Sequence, residues 1–216
     1  MNLREPSVFL IVAGISLIVS SLQPYDRMTW WLEIFPVLIV APILVSTYRR
    51  FPLTPFLYRL IMLHALIVIV GGHYSYARVP IGMWVQDLFQ LSRNHYDRLG
   101  HFMQGFVPAI AAREILLRNT PLQRGKWLFF IVLSICLAFS AFYELIEWWS
   151  ASALGQSATD FLGTQGDPWD TQWDMFLALV GSITAQITLS RVHDREIDRT
   201  LASGLTVHVA ERQKHV

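Results

Sequence analysis

The sequence predicts an all-α polytopic membrane protein, a bundle of six transmembrane helices with both termini in the cytoplasm. Three observations lead there. Hydrophobic residues make up 53% of the chain and charged residues only 15%, well short of the roughly 25% charge usual in soluble domains. The apolar residues gather into six runs, each near the length of about 17 to 25 residues that a bilayer-crossing helix requires. Lys and Arg concentrate on alternate connections, as expected when basic loops stay in the cytoplasm.

The first run covers residues 8–22. A cleaved signal peptide has a similar outline, but Glu5 and Pro6 spoil the basic start after Arg4, and no small-residue cleavage site precedes Gln23. We read it as a retained helix. Runs two and three, 29–47 and 56–72, are strongly apolar. The fourth, 99–117, is the least apolar, because it carries Gly100, His101, Gln104, Gly105, Pro108, Arg113 and Glu114. The fifth spans 127–149 and the sixth 175–190. Residues 1–190 thus form the transmembrane domain, and 191–216 a polar cytoplasmic tail, part helix and part disordered.

With six crossings and the N-terminus inside, eleven Lys and Arg residues fall on the cytoplasmic side and four, Arg27, Arg78, Arg93 and Arg98, outside. Trp30, Trp31, Trp84, Trp127, Trp148, Trp149, Trp169 and Trp173 lie near helix ends, where amphipathic rings settle at headgroup level. The net charge of +1 offers no field for nucleic acid. The single cysteine, Cys136, excludes an internal disulfide and a CxxC metal motif.

Polar residues near lipid are expensive and usually serve a purpose. Four polar stretches, GGHYSYA, NHYDRLGHFMQG, FYELIEWW and GTQGDPWDTQWDM, are separate in the chain but share the outer face in this topology. Asp97 and His101 are one helical turn apart, with Gln104 a turn further in. That spacing suits a carboxylate orienting an imidazole, two metal ligands, or simply a cap and its hydrogen-bond partner. Glu144 and Glu147 share a helix face, so a proton, a cation or an arginine such as Arg98 must relieve their repulsion. Asp170 and Asp174 open the sixth helix, where one of the nearby acids serves as a cap; Asp174, nearest the apolar run, is the preferred functional acid. His73 can reach the same region, or act with Tyr74 as an interfacial anchor.

Histidine and carboxylates converging from four helices predict a hard-metal site or a proton-transfer site. The candidate catalytic residues are Asp97, His101, Glu144 and Asp174. The candidate ligands for a divalent metal ion are His101, Glu144, Glu147, Asp170, Asp174 and His73. Arg98, Arg93, Gln104 and Trp169 are the candidate substrate contacts, the arginines for a phosphate headgroup.

The strings HYDRLGHFMQGF, FSAFYELIEWW and LGTQGDPWDTQWDM resemble the YjdF family of bacterial inner-membrane proteins, whose function is not established. This resemblance covers nearly the whole chain and implies an inner-membrane location. More distantly, the motif order is similar to VanZ-like membrane proteins, with Asp97, Arg98 and His101 matching a D-K-x-x-H motif, Arg replacing Lys. Glu144 matches the glutamate on the next helix, and Asp170 with Asp174 the final acids, although the intervening loop is longer and rich in tryptophan. That likeness implies an envelope or lipid substrate.

Three functions remain open: an enzyme acting on a lipid-linked or amphipathic substrate in the outer leaflet, a small transporter or lipid-handling protein, and an assembly protein that binds another membrane protein. A transporter needs polar groups near the midplane. The sequence offers little there beyond His64, Pro36, Pro108 and Cys136, and the cytoplasmic helix ends read as merely basic.

Overall fold

The computed structural model describes the backbone of residues 4–154 and 164–213. Among them are seven helices and no strand: α1 (Arg4–Ser21), α2 (Arg27–Thr47), α3 (Pro55–Tyr74), α4 (Pro80–Phe89), α5 (Tyr96–Asn119), α6 (Lys126–Leu154) and α7 (Asp170–Gln213). A 3-10 turn, Tyr76–Arg78, joins α3 to α4. Six of the seven are the expected transmembrane runs. The seventh, α4, lies where the sequence reading had only a connection, and at about 15 Å it is too short to cross a bilayer.

Local chemistry explains the starts. The Asp26 side chain accepts a hydrogen bond from the Thr29 N–H at 2.7 Å, capping α2. Thr54 caps α3 by accepting from the Leu57 N–H at 3.3 Å, with Pro55 in the first turn, where no N–H is needed. Helices α2, α3, α6 and α7 are long and apolar enough to cross a membrane, and α1 is apolar but shorter. Their outward residues, such as Ile18, Phe139 and Ile187, are exposed, as a lipid-facing surface requires.

The weakest run by composition, α5, is the centre of the bundle, packed by α3, α6 and α7. Its polar side chains Asp97, His101, Arg113 and Glu114 are buried in protein and do not meet lipid. Helices α5 and α7 approach backbone to backbone. A Cβ at Gly105 would collide with the Ala178 carbonyl, and one at Gly181 with the Phe102 carbonyl. Small residues are what permit such contact between membrane helices.

An apolar core of Leu57, Ile110, Leu128, Val132, Cys136 and Ala185 packs α3, α5, α6 and α7 together. Beyond it lies a buried network absent from the sequence reading, which took this end as merely basic. Glu114 accepts from the Thr54 N–H at 2.9 Å and from its hydroxyl at 2.8 Å, pairs with Arg118 at 2.6 Å, and meets His193 Nε2 at 2.9 Å. Arg113 pairs with Asp194 at 2.5 Å. The expected tail therefore begins inside the bundle: α7 runs unbroken through residue 190, and His193 and Ile197 are buried. Residues 214–216 of that tail lie outside the described residues. Trp30 also differs from the expected belt. It is buried and donates from Nε1 to the Ser20 hydroxyl at 3.1 Å, whereas the other seven tryptophans are exposed.

Candidate metal centre

At the opposite end of the bundle the connection before α5 is folded tightly onto its neighbours. Asn94, fully buried, donates to the carbonyls of Ala77 and Val79, each at 3.1 Å, and accepts from the Tyr96 N–H at 3.0 Å. Gln165 bonds both the N–H and the carbonyl of Asn94, at 3.0 and 2.9 Å. Two ion pairs then fasten the start of α7 to the start of α5. Arg93 pairs with Asp170 and, at 3.4 Å, with Asp97, while Arg98 pairs with Asp167 at 2.7 Å and lies over the Trp173 ring. His95, at the N-terminus of α5, is held below the usual imidazole range by partial burial and the nearby guanidiniums of Arg98 and Arg93.

This frame places His101 among carboxylates from three helices. Its Nε2 lies 3.5 Å from Asp97 Oδ1 and 3.8 Å from Asp174 Oδ2. Its Nδ1 lies 2.9 Å from Gln104 Oε1 and 3.8 Å from Glu144 Oε1. One donor atom each from Asp97, His101 and Asp174 lies within 4.8 Å of the others, and the same holds for His101, Glu144 and Glu147. All five residues are buried. Glu144 Oε1 and Asp174 Oδ1 are buried without a hydrogen-bond partner.

Spacing and charge here are compatible with a bound cation or with shared protons. Hydrogen bonds have donor–acceptor distances of about 2.7 to 3.2 Å. Donors about 2.1 Å from a shared tetrahedral metal are about 3.4 Å apart. The gaps of 3.5 and 3.8 Å around Nε2 are too long for the first arrangement and close to the second. Glu33, from α2, adds a further buried carboxylate within electrostatic reach of Asp97 and His101. Gly72 on α3 makes room for it, since a Cβ there would stand 3.2 Å from that of Glu33. Burying so many carboxylates around one imidazole is tolerable only with protons or a bound cation. The Glu114 network at the other end, by contrast, satisfies itself.

The structure thus brings together Asp97, His101, Gln104, Glu144, Glu147 and Asp174, with Arg93 and Asp170 adjoining. His73 is placed elsewhere: its Nδ1 lies 2.9 Å from the Ser20 carbonyl, at the end of α1. Trp169 is 64% exposed. Arg98 is paired with Asp167 and not with Glu144. Sequence reasoning missed Glu33 and His193. The signal for Glu33 was available, because a lone acid within an apolar run is itself a functional indicator. His193 was assigned to the tail, although it continues the α7 face that carries Gln186.

These features define a class: a multi-pass α-helical membrane protein with a buried histidine–carboxylate centre at one face. The chain belongs to the family described as predicted membrane protein DUF2238, whose model matches residues 6–195. It is 56% identical over 183 residues, 85% of this chain and 88% of the relative, to the inner membrane protein YjdF of Escherichia coli (strain K12). It is accordingly a protein of the bacterial inner membrane. No solved structure matches the chain, and the comparisons lend no support to the VanZ-like resemblance.

Proposed function

We propose that the chain is a metal-dependent enzyme that acts on a lipid or envelope substrate at the outer face of the inner membrane, by hydrolysis or group transfer. The observation that supports it best is the set of buried donors around His101, spaced for a cation and including orphaned carboxylate oxygens on Glu144 and Asp174.

The two faces of the imidazole have different roles in this reading. An amide oxygen only accepts, so Gln104 Oε1 receives the Nδ1 proton and leaves the Nε2 lone pair facing Asp97 and Asp174. His101 Nε2, Asp97 and Asp174 would hold the cation, which when bound would supply Lewis acidity. Glu144 and Glu147, on the Nδ1 side, hold and exchange the proton as general acid and base. Arg93 and Arg98 already hold carboxylates, so their part is to fasten α7 to α5 and not to bind a phosphate headgroup.

A transporter reading gains some support from Ser140, Ser182 and Gln186, buried along α6 and α7 below the cluster. It is weakened by the apolar core of Leu57, Ile110, Leu128, Val132 and Ala185, within which Gln186 already donates its amide to the Phe129 carbonyl at 3.3 Å. The test is metal analysis of detergent-purified protein equilibrated in turn with zinc, manganese, magnesium and calcium. One tightly bound divalent ion, lost in Asp97→Asn and Asp174→Asn, is the expected result. Glu144→Gln should keep the ion yet fail to release a water-soluble product from envelope lipid extract. Binding of none of the four metals overturns the proposal.

A further inference from the structure

Helix α4 takes no part in the candidate centre. Pro80 opens it, and Gln90, in the left-handed conformation at φ 52°, closes it. It docks on the bundle at Gly82, where a Cβ would overlap the Asn94 side chain, and on the adjoining 3-10 turn. At 100° per residue, Trp84, Leu88, Ile81, Val85 and Phe89 fall on one continuous arc of about 140°. Gly82 marks one border of this arc, while Gln86, Met83 and Asp87 occupy the other side. The docking edge is therefore not the apolar face. Ile81, Trp84, Leu88 and Phe89 are 57 to 66% exposed, in a helix of ten residues.

The chain enters α4 from the end of α3 and leaves it toward the start of α5. Both ends lie at the same membrane face, so α4 runs along that face. Tyr74 at the end of α3 and Leu99 near the start of α5 are also exposed. Large side chains so arranged fit the boundary between headgroups and acyl chains, where amphipathic helices lie with their apolar side down.

We propose that α4 is an interfacial helix, seated in the bilayer by Trp84, Leu88, Ile81, Val85 and Phe89. Its occupant is lipid and not a second protein. The bond pattern of Asn94 makes this seat mechanically relevant, since the residue that locks Gly82 also precedes Tyr96 and follows Arg93. Lipid thereby holds the start of α5, which carries Asp97, at headgroup depth. The inference does not depend on whether a metal binds.

Site-directed spin labelling tests it. Trp84→Cys and Leu88→Cys report the apolar arc, and Met83→Cys and Asp87→Cys the opposite side. All four positions are exposed, and the native thiol, Cys136, is buried. In vesicles of phosphatidylethanolamine and phosphatidylglycerol, labels at 84 and 88 should collide with oxygen several-fold more than with an aqueous nickel chelate, and labels at 83 and 87 should show the reverse. Equal access of the nickel chelate to all four overturns the proposal by placing α4 in water. Shielding of 84 and 88 from both reagents overturns it by showing that protein covers the face.

Discussion

His101 is oriented through Nδ1 by Gln104 at 2.9 Å, and this makes Gln104 a residue with a measurable effect despite standing outside the proposed coordination sphere. An outer partner of a metal-binding histidine contributes on the order of 10- to 100-fold in affinity. Gln104→Leu should therefore weaken metal binding by about that factor, while Gln104→Glu, which still accepts from Nδ1–H, should lose much less. Competition with a chromophoric chelator reads both, and equal affinities for wild type and Gln104→Leu would remove the tautomer argument. Asp97, His101 and Gln104 were legible in the sequence because one helix sets their spacing. Asp174 was legible because it follows the polar start of a helix. The pairing of Arg93 with Asp170 and of Arg98 with Asp167 was not, since those partners are joined by tertiary packing across some seventy intervening residues.

Helix α5 shows why hydropathy ranks elements poorly once they leave the lipid. Run 99–117 scored lowest because its side chains meet protein, and its low hydropathy was the mark of its central place. The cluster depends on α5 and α7 lying backbone to backbone. Gly105→Ala should accordingly lower stability by about 1 to 3 kcal/mol through overpacking, and reduce metal binding as Asp174 moves from His101. Gly14→Ala, where nothing lies within 4 Å, should do neither. Thermal unfolding in detergent with parallel metal analysis compares the two. At the far end, Glu114 ties α3, α5 and α7 together, and removing one partner from a buried charged network costs about 3 to 5 kcal/mol. Glu114→Ala should fall in that range, against about 2 kcal/mol for Thr54→Val, which removes both the hydroxyl's bond to Glu114 and its cap on the Leu57 N–H. Helix α4 escaped a search for bilayer-length runs simply because it is too short, although its apolar residues already follow the helical period.

Across the whole molecule, polar chemistry is divided between two ends separated by an apolar core, and the ends differ in kind. One is a closed network in which Glu114, Arg118, Thr54 and His193 satisfy one another. The other carries more buried carboxylate than guanidinium, with oxygens left over. The helical membrane architecture was legible because lipid imposes a common length and apolar composition on spanning helices, which four helices here have in full and α1 in shorter form. The difference between the ends was not, because composition reports charge without its partners. The excess of Lys and Arg at the closed end argues that it faces the cytoplasm and the acid cluster the periplasm. Cysteine labelling decides this, because buried Cys136 gives little background. Trp169→Cys, exposed beside the acid cluster, should react in intact cells with a membrane-impermeant maleimide small enough to pass the outer membrane. Gln123→Cys, exposed between α5 and α6, should react only after the inner membrane is permeabilised. The opposite pattern would turn the molecule over, and with it the proposed substrate leaflet, while leaving the geometry around His101 intact.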